Sequence, residues 1–194
     1  LVLTGAAVNG TGNSSSNQIT GNANNNYLRG EGGNDNLNGG GGPQEIDRLN
    51  GGANADTFVL GDAGVRFYDD GNPATPGHDG FAIIEDFTPS QSDRLRLAGN
   101  AAQYFLGTSP ISNVPGTALY HDSNGNAALD PASDELIAIL VSGETLTIAN
   151  TISNAVYSSP VDPALIGLTS PISVALTNAP MGTYAAVEFS IFEP

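Results

Sequence analysis

Five polar residues define the chemistry open to this chain: Asn17, Asn26, Asp35, Asp47 and Asp56, separated by steps of 9, 9, 12 and 9 residues. Each is followed two places later by one large apolar residue (Ile19, Leu28, Leu37, Leu49, Phe58), and each row opens on a glycine (Gly12, Gly21, Gly30, Gly39, Gly51). Carboxylates and amides recurring in this way form a series of oxygen donors. With no Cys and only 2 His in the chain, oxygen is the ligand type on offer, which favours calcium over zinc or copper.

The same interval predicts the elements that must position these donors. In a β-strand, residues two apart share a face. The Asn/Asp and the apolar residue of each row therefore both point inward, and the residue between them points to solvent. A row is a glycine turn followed by a very short strand. Two rows close one turn of a flat coil, and rows i and i+2 lie side by side as parallel strands ~4.8 Å apart. Ile19, Leu37 and Phe58 then line one sheet, with Leu28 and Leu49 on the other. A calcium ion takes oxygens at ~2.3–2.6 Å, so two oxygens across it match that strand spacing. Without the ion, stacked carboxylates repel by ~1 kcal/mol in water and by several times that where screening is poor. A flexible Gly/Asn linker would explain the composition, but not a fixed offset from each Asn/Asp to one large apolar residue.

Composition narrows the remaining choices. The 194 residues carry 20 acidic side chains against five Arg and no Lys, for a net charge of −15. Residues 62–135 hold −8 of it, so the middle of the chain is its electrostatic centre. Nothing here could neutralise a run of phosphates, which argues against nucleic acid. The scarcity of helix formers excludes bundles and coiled coils, and the absence of Cys excludes a disulfide scaffold and a cysteine nucleophile. The longest aliphatic run, 136–141, is far too short to span a bilayer. No basic-then-apolar leader precedes the glycine-rich region, so the chain reads as the C-terminal portion of something longer or as a protein exported by another route.

Seven acids (Asp62, Asp69, Asp70, Asp79, Glu85, Asp86, Asp93) fall within 32 residues. They read either as a solvated acidic face or as a further calcium site just past the coil, with Asp69-Asp70-Gly71 and Asp86 the strongest members. Asp122-Ser123-Asn124-Gly125-Asn126 lies between two apolar runs and predicts a hairpin turn. An EF-hand would need Gly and Glu where Ala127 and Ser133 stand. His78 and His121 have no His or Cys at ligand spacing, and no G-x-S-x-G, P-loop or H-E-x-x-H occurs. No active site is therefore expected within these residues, and the chain reads as a non-enzyme.

Gly30-Glu31-Gly32-Gly33-Asn34-Asp35-Asn36-Leu37-Asn38 resembles the haemolysin-type (RTX) nonapeptide, G-G-x-G-x-D-x-U-x. The rows at 39–50 and 51–59 are similar, and the Asn-rich rows from Gly10 look like the lead-in rows of cyanobacterial members. Phe81-Ala82-Ile83-Ile84-Glu85-Asp86-Phe87 followed by Asp93-Arg94-Leu95 resembles the family's C-terminal cap, as in the serralysin-type domain. The resemblance covers residues 3–107. It implies a calcium-loaded parallel β-roll with sites between alternate rows: Asp35 with Asp56 first, then Asn26 with Asp47 and Asn17 with Asp35. Turn carbonyls of Gly30, Gly32, Gly33 and Gly51 would serve as neutral ligands. Two departures stand out: Asn54 replaces a motif glycine, and an insertion at 43–46 lengthens the turn before Asp47. The resemblance further implies a secreted, extracellular protein, exported unfolded by type I secretion machinery through an uncleaved C-terminal signal.

The expectation is an all-β protein. Residues 1–61 form a short parallel β-roll, 62–158 an antiparallel cap, and 159–194 a tail holding a candidate secretion signal. Cap strands are expected at 65–68, 81–85, 94–97, 118–121, 135–141 and 145–148, with tail strands at 172–176 and 184–192. The expected function is calcium binding coupled to folding outside the cell. Two alternatives stay open: the export and folding module of a larger secreted enzyme, or a calcium-dependent surface protein that is structural, adhesive or self-associating.

Overall fold

A computed structural model describes residues 1–72 and 75–158. Its first six strands are the rows: β1 (Asn9–Asn13), β2 (Gln18–Thr20), β3 (Tyr27–Glu31), β4 (Asn36–Asn38), β5 (Ile46–Asn50) and β6 (Thr57–Val59). They alternate between two sheets, so two rows do complete one turn. Ile19 stands opposite Leu37, and Leu37 opposite Phe58, in one sheet; Leu28 stands opposite Leu49 in the other. All five are fully buried. Removing each such side chain from water stabilises the coil by roughly 2 kcal/mol, the return on placing one apolar residue in each row.

After a two-stranded antiparallel ribbon, β7 (Gly61–Asp62) and β8 (Val65–Arg66), the chain rejoins the coil. β9 (Phe81–Ile84) pairs in parallel with β5, and β10 (Arg94–Ala98) in parallel with β6. Both apolar ladders lengthen, to Ile84 and Leu140 beyond Leu49 and to Leu95 beyond Phe58. β11 (Tyr104–Thr108), β12 (Thr117–His121) and β13 (Glu135–Leu140) form an antiparallel meander on β9, and β14 (Val156–Ser158) closes the other edge beside β10. The result is a seven-stranded sheet, β1-β3-β5-β9-β13-β12-β11, facing a five-stranded sheet, β14-β10-β6-β4-β2. β9 and β13 are buried along their whole length. One side of them faces the coil; on the other, Phe81, Ile83, Tyr120, Leu136 and Ile139 form a second cluster packed by Ile111 and Val114.

Antiparallel pairing is confined to β11–β13 and the β7–β8 ribbon; the expected cap strands at 81–85 and 94–97 instead run parallel to the coil strands, as β9 and β10, and β14 runs parallel to β10. Residues 145–148 are not a strand: Asn150 Oδ1 accepts the Thr147 N–H at 2.8 Å and winds the segment into a turn, leaving Ile148 half exposed. β11 and β14 are strands that the sequence spacing does not predict. The expected tail strands at 172–176 and 184–192 lie outside the described residues.

Candidate metal centres

Strand register carries the five polar residues into two stacks. Along the five-stranded sheet, Asn17, Asp35 and Asp56 each sit immediately before a strand, and each backbone N–H points at the next side chain. The Asn17 N–H donates to Asp35 Oδ1 at 2.6 Å and the Asp35 N–H to Asp56 Oδ1 at 2.8 Å. The Asp56 N–H donates in turn to Asp93 Oδ1 at 2.9 Å. Asp93 is therefore a fourth member, carried in by β10, whose Leu95 stands opposite Phe58. The signal for it was in the chain, since Asp93-Arg94-Leu95 repeats the Asp-x-apolar spacing of the rows, but it lies 37 residues past Asp56 rather than 9 or 12.

Asp35 and Asp56 each spend one oxygen on this ladder. The other, Oδ2 in both, is buried and has no hydrogen-bond partner. Burial raises the Asp35 carboxyl above its ordinary value, partly offset by the Asn17 N–H. Asp56 is pushed up to about 7, by burial first, against the Asp35 N–H and with the charges of Asp93, Asp35 and Asp86 adding to it. Asp93 is pushed up to about 6, again chiefly by burial, although both its oxygens accept N–H groups, from Asp56 and from Thr88 at 2.8 Å. The ion pairs among the described residues are Arg29–Glu31, Arg48–Glu85, Arg66–Asp69 and Arg96–Asp62, so none reaches this stack.

The row-opening glycines explain themselves here. A Cβ on Gly30 would sit 2.2 Å from Asp35 Oδ2 and 2.5 Å from the Gly51 carbonyl oxygen; one on Gly51 would sit 2.3 Å from Asp56 Oδ2. Gly12 and Gly21 show the same crowding against Asn17 and Asn26. The glycines are there to let carboxylate and carbonyl oxygens converge. Gly33 does need glycine's backbone freedom: φ is 95°, and a Cβ would meet the Ser15–Ser16 peptide at 2.6 Å. Gly32 shows no such constraint: a Cβ there would make only an ordinary contact with Ser14 Cα at 3.8 Å. Asn54, in the motif-glycine position, adopts φ 83°, a conformation Asn tolerates better than most residues.

The second stack ends differently. The Asn26 N–H donates to Asp47 Oδ1 at 2.7 Å, as the pattern requires. In the next strand, however, Asp47 stands opposite Ala82, and the Tyr68 hydroxyl fills the gap by donating to Asp47 Oδ2 at 2.6 Å. Asp47 is fully buried and satisfied, its carboxyl raised by burial and lowered by those two donors. The 43–46 insertion leaves the pairing of β5 with β3 intact.

Asp86 follows β9 and spends both its oxygens on backbone N–H groups. Its Oδ1 accepts the Gly51 N–H at 2.9 Å and its Oδ2 the Gly52 N–H at 2.7 Å, which pins the last row of the roll. Asp69 and Asp70 come together with Glu135, one oxygen of each lying within 4.8 Å of the others. Glu135 escaped the sequence reading because it heads an otherwise apolar run. Asp122 caps its own loop, accepting from the N–H groups of Gly125, Asn126 and Ala127; the segment is the β12–β13 hairpin connection, but spans 122–134 rather than a tight Asn-Gly turn. Burial lowers the His121 imidazole to about 4, so it is neutral.

Fold and site together define an all-β protein built on a parallel coil with acid stacks at its turns. The model of the RTX calcium-binding nonapeptide repeat matches residues 11–43 and 45–63 in four copies, so the chain carries RTX calcium-binding repeats over that segment. No curated protein matches as a relative. Among solved structures, the chain is similar to the solution structure of the AlgE6R3 subunit from the Azotobacter vinelandii mannuronan C5-epimerase, at 24% identity over 95% of this chain and 94% of that one, with a TM-score of 0.48. No helix among the described residues is long and apolar enough to cross a membrane.

Proposed function

We propose that this chain is an extracellular calcium-binding domain whose roll, residues 1–61, folds when it takes up calcium, with residues 62–158 as its cap. The observation that carries this reading is the pair of buried carboxylate oxygens, Asp35 Oδ2 and Asp56 Oδ2, at adjacent strands, with no hydrogen-bond donor and no paired basic side chain among the described residues. The residues present fit calcium: the donors are all oxygen, carboxylates stack at strand spacing, and the glycines open space for turn carbonyls. Asp35 and Asp56 would hold the ion, with Asn17 extending the same stack, while Asp47, whose oxygens are taken by the Asn26 N–H and the Tyr68 hydroxyl, would need none. Calcium there would supply positive charge that this chain does not provide for itself. Without it, the charge of −15 and the buried acids disfavour compaction; with it, binding free energy becomes folding free energy. Such sites suit millimolar extracellular calcium and would leave the chain unfolded in the cytosol, the state that type I export requires. The role is structural rather than catalytic.

A far-UV circular dichroism titration from a chelated start, with a magnesium control, tests this. The expected result is a disordered spectrum that turns β-rich as calcium is added. A β-rich spectrum in chelator, with no heat on calcium addition, would mean a bare structural coil.

A further inference from the structure

We infer that Asp69, Asp70 and Glu135 form a second kind of cation site, in the cap and independent of the roll, that takes a hard divalent cation, calcium. One carboxylate oxygen of each lies within 4.8 Å of the others. The cluster does not stand on acidity alone. Glu135 is 1% exposed, and its Oε2 has no hydrogen-bond partner although it is buried against two other carboxylates. Leaving such a group unpaired costs far more than leaving it at the surface. Space for it is built in: Gly77 adopts φ 60°, and a Cβ there would sit 2.1 Å from Glu135 Oε1 and 2.8 Å from Oε2.

The surrounding bonds hold the acids in place without neutralising them. Asp69 Oδ1 accepts the Gly71 N–H at 2.7 Å, Asp70 Oδ1 the Asn72 N–H at 2.6 Å, and Asp70 Oδ2 the Thr75 hydroxyl at 2.8 Å. Each carboxylate oxygen keeps a further lone pair for a metal. Arg66 Nε donates to Asp69 Oδ2, so one guanidinium faces three carboxylates, and Asp79 adds its charge near Glu135; the cluster keeps a net negative charge that a divalent cation would offset. His121 stands opposite Glu135 in the β12–β13 pairing, but its ring nitrogens fall outside the converging set. The donors are therefore all oxygen, which selects calcium over zinc.

The site would act as a clamp. Asp69 and Asp70 lie in the connection from β8 to β9, and Glu135 opens β13, so the Asp70 N–H to Glu135 Oε1 bond at 3.3 Å already joins residues 65 apart in sequence. A cation there would fasten that connection to a central strand of the seven-stranded sheet.

The test is calcium stoichiometry and affinity by calorimetry on the full chain, comparing wild type with Glu135→Gln, Asp70→Asn and Asp56→Asn. The inference predicts that Glu135→Gln and Asp70→Asn each lose one calcium or weaken one site at least tenfold, and that the amides of 69–72 and 75–80 lose their calcium-dependent protection from hydrogen exchange while those of 28–38 keep theirs. Asp56→Asn should leave the 69–80 response intact, so failure of the roll reading and failure of this one are separable. Should Glu135→Gln not fold, Asp70→Asn decides, because Asp70 is exposed. Wild-type stoichiometry and affinity in Asp70→Asn, with wild-type protection at 69–80, would overturn the inference.

Discussion

The two stacks of the coil arise from one repeat and reach opposite electrostatic ends. Along the five-stranded sheet, Asn17, Asp35, Asp56 and Asp93 pass backbone N–H groups from strand to strand and leave two buried oxygens with nothing to bind. Along the seven-stranded sheet, Asn26 and Asp47 begin the same ladder, but the strand beyond Asp47 offers Ala82, and Tyr68 donates the missing hydrogen bond. A repeat therefore does not by itself make a metal site. What stands in the next strand decides whether the protein completes a carboxylate or leaves it an oxygen without a partner.

Changes that abolish the difference between the stacks should cost most. Gly30→Ala and Gly39→Ala each place a Cβ within 2.1–2.2 Å of a stack carboxylate oxygen. Each should lose about 3 kcal/mol in urea unfolding, alike on both edges, because the crowding is common to them. Tolerance of alanine at either position would show that the oxygens do not converge there.

Tyr68→Phe should come next. It strips Asp47 Oδ2 of its donor and gives the second stack the defect of the first, at a cost of about 2 kcal/mol in chelator. Calcium should recover part of that loss; a variant as stable as wild type in chelator would mean the tyrosine is not what completes Asp47.

The pH dependence weighs most on the first stack, although burial raises Asp47 in the second as well. Asp56 and Asp93 titrate at about 7 and about 6 in the folded chain, above the ordinary 3.8. A raised carboxyl pKa means the folded state holds the proton more tightly, so the stability it gives is complete below about pH 4 and is lost as pH rises through 6 to 7. In chelator, thermal melts should therefore show stability falling from pH 4 to pH 7, and Asp56→Asn should flatten that slope. An unchanged slope would remove Asp56 as its source. The smallest effect belongs to neither stack: Arg48→Ala breaks an exposed pair with Glu85 on the outer face and should cost less than about 1 kcal/mol, with the calcium response unaltered.

Much of this arrangement is legible in the chain, for a physical reason. The offset from Asn/Asp to the apolar residue is the two-residue period of a strand, so register, facing and the alternation of sheets follow from spacing alone. Tyr68, Asp93 and Glu135 reach the stacks and the cap cluster from 21 to 65 residues away, and no local period announces them. Asp93 comes nearest to being readable, because it keeps the Asp-x-Leu spacing after the glycine turn has gone. Glu135 is hidden by the apolar residues that follow it, which mark a buried strand and say nothing about a carboxylate at its head. At 145–148 the alternation of Leu146 and Ile148 suggests a strand, but Asn150 closes a turn on Thr147 instead; a local side-chain bond outweighs a weak period.

In the function proposed above, the stack with unpartnered oxygens carries the calcium dependence. Calorimetric titration of calcium into Asp56→Asn and Asp47→Asn, each starting from chelator, tests it most directly. Asp56→Asn should lose a calcium equivalent or bind at least tenfold more weakly while becoming more stable without the ion, and Asp47→Asn should keep the tight site and instead lose stability in chelator. Unchanged calcium binding in Asp56→Asn, with a loss in Asp47→Asn, would contradict it.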